Sequence, residues 1–172
     1  MDDISGRERI LEAARGLVAE RGFADVSLAD IGKVAGVSRT TVAYHFHPRE
    51  RLIAELLKGP REGMARLMAG TATGADFARA YVEFVVSQRD YLGLIFLDPS
   101  LVRHPIFGPP LRSAREGVVT RLTAGDASDV ARVRGWAVMG AINIAVLQTT
   151  DVDTRLVIDT VTALAHSMLE PS

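Results

Sequence analysis

The sequence predicts an all-α fold of about nine helices, arranged as a small module followed by a larger one. Apolar residues recur every three to four positions from Ile10 to Met168, as expected of helices with one buried face. The period-two alternation of a half-buried strand persists nowhere in the sequence. Clusters of glycine and proline separate the helical stretches, most densely between residues 98 and 110.

Composition and charge are those of a soluble globular protein. Hydrophobic residues make up 48% of the 172 residues and charged residues 24%. No apolar run reaches the ~18 residues that span a bilayer, and the Met1-Asp2-Asp3 start lacks the basic and apolar regions of a secretory signal. There is no cysteine, which excludes disulfides and thiolate metal sites. We therefore expect a cytoplasmic protein with no membrane partner.

The first helix is predicted from about Ser5 to Arg21, and Gly22 ends it because glycine tolerates the left-handed conformation that follows many helices. Its buried stripe consists of Ile10, Ala13, Ala14, Leu17 and Val18. Phe23 and Val26 are expected to close a small core with four residues of the next two helices, Ile31, Val34, Val42 and Phe46.

Residues 27–46 have the pattern of two short helices joined by a tight turn. Ser27 can cap the first helix, with Asp30 near its positive end. Gly36 ends that helix, and Ser38 can cap a second helix whose outer side is polar. This helix-turn-helix pattern is typical of proteins that read the major groove of DNA, although a small α-helical core domain shows the same signals.

The residues from about Arg9 to Leu57 resemble the N-terminal domain of the TetR family of bacterial transcriptional regulators. The resemblance rests on residues 27–46, on Arg-Ile-Leu-Glu-Ala-Ala at 9–14, on Glu-Arg-Gly-Phe at 20–23 and on Pro-Arg-Glu-Arg-Leu at 48–52. It implies an all-α homodimer that binds operator DNA, expected to be palindromic, with the N-terminal domain. It also implies a small-molecule effector bound by the C-terminal domain.

The outer side of the second motif helix carries the predicted base-reading residues. Arg39 can bind guanine bidentately, and Thr40 and Thr41 can touch a thymine methyl or a phosphate. Tyr44 lies one turn further along and can also reach DNA. The alternative is that these residues form an ordinary solvated face.

The charge of this region also favours DNA. Between residues 33 and 51, four cations and one acid give a net charge of +3, although the whole chain carries −1. The resemblance assigns Arg49 a phosphate contact at the start of the fourth helix. The predicted DNA-binding residues are Lys33, Ser38, Arg39, Thr40, Thr41, Tyr44, His45 and Arg49.

The sequence departs from the family pattern at three places. Ala43 replaces the usual aromatic residue, and His47-Pro48 replaces the usual loop into the fourth helix. Gly32 replaces the usual alanine, which costs roughly 1 kcal/mol in a helix interior unless close packing requires glycine.

The fourth helix is predicted to begin near Pro48 and to end at Gly59-Pro60, where the chain either breaks or only kinks. We place the domain boundary there, which gives a DNA-binding domain of residues 1–58 and an effector-binding and dimerisation domain of residues 59–172. Further helices are expected over 60–70, 75–88, 91–97, 111–122, 128–148 and from Asp151 or Asp153 to 169, with an irregular segment over 98–110.

The last two predicted helices are apolar on more than one side. One side can pack on its own domain, and the other would be an exposed patch in a monomer. Pairing with a second copy would bury that patch in an isologous four-helix contact.

The candidate effector site lies between helices of the second domain. Its predicted lining consists of Phe77, Tyr81, Phe84, Phe96, Phe107, Trp136, Met139 and Asn143. Tyr81, Trp136 and Asn143 are the most informative, because each carries a polar group that needs a partner when it is buried. The alternative is that most of these residues simply fill the core.

Motifs of catalysis are absent from the sequence. The four histidines show no H-E-x-x-H spacing, and there is no glycine-rich phosphate loop or nucleophile elbow. We therefore expect no enzyme, no cofactor and no metal site. Two function classes remain open: a DNA-binding repressor released by a small hydrophobic ligand, and a helical adaptor that associates through its C-terminal helices without binding DNA.

Overall fold

The computed structural model describes residues 2–91 and 98–170. No strand occurs within these residues, so the predicted all-α class is confirmed. Ten helices lie wholly within them, against about nine predicted: α1 (Asp2–Arg21), α2 (Leu28–Ala35), α3 (Arg39–Phe46), α4 (Arg49–Leu56), α5 (Lys58–Ala69), α6 (Gly74–Ser87), α7 (Pro99–Arg103), α8 (Gly108–Leu122), α9 (Asp129–Gln148) and α10 (Thr154–Leu169). They pack as two compact units, Met1–Arg61 and Glu62–Ser172.

The first unit is a small core enclosed by α1 to α4. The predicted stripe of α1 is buried, together with Phe23, Val26, Ile31, Val42, Phe46, Leu52 and Ile53. Gly22 ends α1 in the left-handed conformation, with φ +80°. Arg7 ties α1 to the other helices, since it pairs with Glu55 of α4 at 2.9 Å and lies 5.4 Å from the ring centroid of Phe46.

The prediction that Val34 belongs to this core is wrong, because its side chain is 60% exposed. Ile31 and Ala35, one turn apart, occupy the inner side of α2 and leave Val34 at its edge. Val34 instead lines an open groove of about 640 Å³ along α1, beside Gly16 and Leu17.

The helix break at the end of α4 falls at Leu57 and not at Gly59-Pro60. α4 ends at Leu56, Leu57 has φ −85° and ψ −3°, and α5 begins at the next residue. Pro60 therefore occupies the first turn of α5, where a missing amide proton costs no helical hydrogen bond.

The second unit is built around α6, α8, α9 and α10, whose inner faces share one core. Its buried residues include Tyr81, Val82, Val85, Val118, Leu122, Val138, Ile142, Val157 and Val161. α8 and α9 approach closely at Gly135, where a Cβ would lie 2.9 Å from side-chain atoms of Val119 and Thr123. Arg121 of α8 holds the end of α5 by donating to the carbonyls of Met68 at 2.9 Å and Ala72 at 3.0 Å.

Residues 98–110 are more regular than predicted. Asp98 caps α7, and its carboxylate accepts a hydrogen bond from the Ser100 amide at 2.8 Å. α8 begins at Gly108 with two prolines in its first turn, a position that suits the fixed φ of proline. The predicted helix over 91–97 and the candidate Phe96 fall on residues 92–97, outside the described residues except for position 91.

α9 and α10 each keep an apolar side exposed. We call these two exposed sides together the α9–α10 apolar face. Its large residues are Val130, Val133, Trp136, Ile144, Leu156, Leu164 and Met168. Among the described helices, α9 alone is long and apolar enough to cross a membrane by length and composition. Its Val138, Met139 and Ile142 belong to the core of the second unit, as expected of a core helix.

Candidate nucleic-acid interface

A complete capping box starts α2. The Ser27 hydroxyl accepts a hydrogen bond from the Asp30 amide at 3.1 Å, and the Asp30 carboxylate accepts one from the Ser27 amide at 3.0 Å. The Ser27 hydroxyl also donates to that carboxylate. The hydroxyl is the largest cause that lowers the pKa of Asp30, and the Ser27 amide is the next. The predicted cap at Ser27 is confirmed.

A tight turn joins α2 to α3. Gly36 adopts φ +69° and ψ +33°, the left-handed conformation that the sequence predicts for it. The turn also folds back onto α2, because a Cβ on Gly32 would lie 2.8 Å from the Val37 carbonyl oxygen and 3.3 Å from the Ser38 carbonyl carbon. This close approach explains why glycine stands at position 32.

The start of α3 is fixed by two hydroxyl groups. Ser38 Oγ accepts a hydrogen bond from the Thr41 amide at 3.0 Å and shares another with Thr41 Oγ1 at 2.9 Å. Val42 and Phe46 bury the inner side of the helix. Ser38 and Thr41 therefore have a structural task, and their predicted contacts with DNA stay predictions.

The outer side of α3 presents Arg39, Thr40 and Tyr44 to solvent. Tyr44 is 80% exposed and meets the ring of His45 edge-on, with 5.2 Å between the ring centroids. His45 is half-buried beside Phe46. The three exposed side chains offer a guanidinium, a hydroxyl and a phenol, which are groups that can bond the edges of bases. Of the other predicted contacts, Lys33 is exposed on α2.

Arg49 is held by the first unit itself. Its Nη2 donates to the backbone carbonyls of Phe23 and of Val26, the latter at 2.8 Å. The guanidinium carbon lies 5.3 Å from the ring centroid of Phe23, and the side chain is half-buried. This geometry does not favour the phosphate contact that the resemblance implies for Arg49.

Sequence reasoning missed two supports of this surface. Arg7, which touches Phe46 at the end of α3, lies far from its partners in the sequence, and no local pattern marks the pair. The partners of Arg49 are backbone carbonyls, which every residue type supplies. The one sequence signal near Arg49 is the unusual His47-Pro48 loop, which departs from the family pattern immediately before Arg49.

Two of the candidate effector residues, Tyr81 and Asn143, form a buried polar pair in the second unit. Asn143 Nδ2 donates to the Tyr81 hydroxyl at 3.0 Å and to the Met139 carbonyl at 2.8 Å. The rings of Phe77, Tyr81 and Phe84 follow one another along α6, with about 6 Å between neighbouring centroids. Burial raises the pKa of Tyr81 and lowers that of Arg115 of α8.

The structure separates these candidates into interior and surface residues. Phe77, Tyr81, Met139 and Asn143 are buried together, Phe107 is buried beside Gly108, and Phe84 is half-buried. Trp136 is 42% exposed on the α9–α10 apolar face, so its predicted place in an interior lining is corrected. α9 is apolar on several sides, and its sequence did not indicate which side faces inward.

The described residues contain no group of three metal-ligating side chains.

Comparison with known proteins gives sequence matches that include the first unit and structural matches to the whole fold. Residues 10–56 match the family described as "Bacterial regulatory proteins, tetR family". The "HTH-type transcriptional repressor KstR2" of Rhodococcus jostii is 32% identical over 91 residues, which are 50% of this chain and 44% of the repressor. The chain spans less than half the length of the curated relatives it matches.

Two solved structures share the fold over nearly the whole chain. A "TetR-like transcriptional regulator" from Rhodococcus sp. has a TM-score of 0.67 and 18% identity, and the match covers 93% of each chain. The "multidrug binding protein EbrR complexed with malachite green" has a TM-score of 0.57 and 23% identity, with 92% of this chain and 96% of that chain covered. At these identities the likeness extends to the fold alone.

Proposed function

We propose that the chain is a cytoplasmic transcriptional regulator of the TetR family and that it binds operator DNA through its first unit, which is supported by the match of residues 10–56 to the tetR family of bacterial regulatory proteins and by the similarity to KstR2. The observation that carries the proposal is the outer side of α3. Arg39, Thr40 and Tyr44 project from a helix whose start is capped and whose inner side is buried. Such a helix fits the major groove, where these groups distinguish base pairs.

The operator is a palindrome and the protein a homodimer in this proposal. One helix-turn-helix reads too few base pairs for useful specificity, so two copies are needed. The α9–α10 apolar face supports the dimer, since its large side chains are exposed in one chain and a second copy would cover them. Two helices from each copy form an isologous four-helix contact.

The regulator acts as a repressor that a small hydrophobic ligand releases from DNA. Two relatives support this part: KstR2 is a transcriptional repressor by name, and EbrR is a multidrug binding protein seen with malachite green. The ligand site would lie among α6, α8 and α9, around Phe77, Tyr81 and Asn143. The ligand lowers operator affinity only if it favours an arrangement of the two DNA-binding units that does not fit the operator.

Selection from a pool of random DNA duplexes tests the DNA-binding role. We expect the purified protein to enrich an inverted repeat whose half-sites are spaced by about one helical turn or a multiple of it. Recovery of an unenriched pool by a folded dimer would contradict the proposal and favour the helical adaptor.

Malachite green is the first probe for the effector role. It is titrated into the complex between the protein and the enriched duplex, and its binding to the protein alone is measured in parallel. We expect saturation of the protein to release the duplex. A dye that saturates the protein and leaves the DNA affinity unaltered would show that its binding is not coupled to the operator.

A further inference from the structure

Arg49 joins the chain before the helix-turn-helix to the chain after it. It is the first residue of α4, and only two residues separate it from the end of α3. Its guanidinium bonds the carbonyls of Phe23 and Val26, which lie just ahead of Ser27, the cap of α2. A single side chain therefore closes the segment that contains α2, the turn and α3.

One contact of Arg49 uses a property specific to arginine. One nitrogen donates to two carbonyls, and the planar group lies over the Phe23 ring. A lysine ammonium carries the same charge but has no planar fork to place over a ring. The two carbonyls belong to a connecting segment outside any helix, where buried backbone groups need such partners.

We infer that Arg49 is a positioning residue for operator recognition and not a phosphate anchor. It fixes the segment ahead of α2 against the start of α4, and thereby holds α3 so that Arg39 and Tyr44 meet the base edges together. The inference rests on the proposed function, because it concerns how the same DNA-binding surface is held. It differs from the expectation that the family resemblance sets for this position.

Phosphate anchoring and positioning have different consequences in solution. A phosphate contact contributes to binding of every sequence and to the salt dependence of affinity. A positioning contact affects the hydrogen bonds to base edges, and these contribute to affinity only when the duplex carries the operator sequence. The ratio of operator affinity to scrambled-duplex affinity therefore separates the two roles.

The experiment compares the wild type with Arg49→Ala, Arg49→Lys and Arg51→Ala. Each is titrated, between 50 and 200 mM salt (about the range over which phosphate contacts are resolved), with the duplex enriched by the wild type and with a scrambled duplex of equal length. The active fraction of each preparation comes from stoichiometric titration. Arg51 is the control, since it is an exposed arginine of the same helical turn.

We expect Arg49→Ala to lower operator affinity by about tenfold to a hundredfold, with scrambled-duplex affinity within about twofold of wild type and an unchanged salt slope. Arg49→Lys should not restore the ratio, and Arg51→Ala should leave it unchanged. A phosphate anchor would instead give an equal loss of affinity for both duplexes, a slope of log affinity against log salt reduced by about one, and affinity restored by Arg49→Lys. That result would overturn the inference.

A lower active fraction with an unchanged affinity ratio would show a purely structural role and would also overturn the inference. Failure of the proposed function is distinguishable from both outcomes. In that case the wild type itself would show no preference for any duplex.

Discussion

Tyr81 of α6 and Asn143 of α9 bind each other across the core of the second unit, with the amide nitrogen 3.0 Å from the phenol oxygen. Both side chains are buried, so neither polar group can exchange its partner for water. The second N–H of Asn143 is taken by the Met139 carbonyl. The pair therefore fixes the register of α6 against α9, and burial raises the pKa of Tyr81.

The raised pKa of Tyr81 predicts a loss of stability in alkali. The folded state holds the phenol proton more tightly than the unfolded state, so the stabilisation is complete below the unfolded pKa of about 10 and is lost as the pH rises above it. Tyr81→Phe should remove this part of the pH dependence. Denaturant unfolding at a series of pH values from about 8 to 11 measures it.

At neutral pH, Tyr81→Phe leaves the buried Asn143 short of a partner and should cost about 1–3 kcal/mol of unfolding free energy. An alkaline slope that is the same in the variant and the wild type would contradict the assignment to Tyr81.

Gly32→Ala should destabilise the first unit. The added Cβ would meet the Val37 carbonyl oxygen at 2.8 Å, and the expected strain of about 1–3 kcal/mol outweighs the roughly 1 kcal/mol gained from helix propensity. Gly16→Ala is the matched control, because a Cβ there meets nothing within 4 Å and the helical site is exposed. Thermal unfolding should rank Gly16→Ala at or above the wild type and Gly32→Ala below it; the reverse order would show that the turn does not need glycine.

Arg39→Ala and Tyr44→Ala should each weaken binding to the enriched duplex by about 1–3 kcal/mol and relax its sequence preference at one position. Both side chains are exposed on α3, so circular dichroism should be unchanged. Arg155→Ala, which removes an exposed arginine of α10, is the control for charge. Wild-type affinity in both α3 variants would exclude them from base contact.

Leu164→Arg should convert the proposed dimer to a monomer. Leu164 is 57% exposed on the α9–α10 apolar face, and a charge there cannot be covered by a second copy without loss of its hydration. Ile106→Arg is the control, since Ile106 is 58% exposed but lies outside that face. Sedimentation at micromolar concentration measures the oligomeric state of both variants. Trp136, the only tryptophan, reports the same change because its fluorescence depends on burial; a dimeric Leu164→Arg would place the interface elsewhere.

The local features of the first unit were predictable because short-range chemistry encodes them. Ser27 and Ser38 cap helices through their own hydroxyls, and Gly36 permits the left-handed turn between them. In the second unit, periodicity predicted the long helices α6, α9 and α10 but not the short α7, and of the two caps considered for α10 it is Asp153 that forms.

The features that could not be predicted from the sequence depend on contacts between distant segments of the chain. Val34 fits an apolar pattern, but packing of α1 on α2 decides that Ile31 and Ala35 face inward. Trp136 sits on a helix with apolar residues on several sides, and only the core of the second unit selects the inner one. The charge of Arg49 favours a phosphate contact, whereas in the fold one guanidinium nitrogen donates to two backbone carbonyls and the planar group lies over the Phe23 ring.

The central claim is sequence-specific binding of DNA by the outer side of α3. The most direct measurement is equilibrium titration of one protein preparation with the enriched duplex and with a scrambled duplex of equal length, at a fixed salt concentration near physiological. The account predicts a preference of at least about a thousandfold for the enriched duplex, reduced when Arg39 is replaced by alanine. Equal affinity for the two duplexes, or a preference that survives unchanged in Arg39→Ala and Tyr44→Ala together, would contradict it.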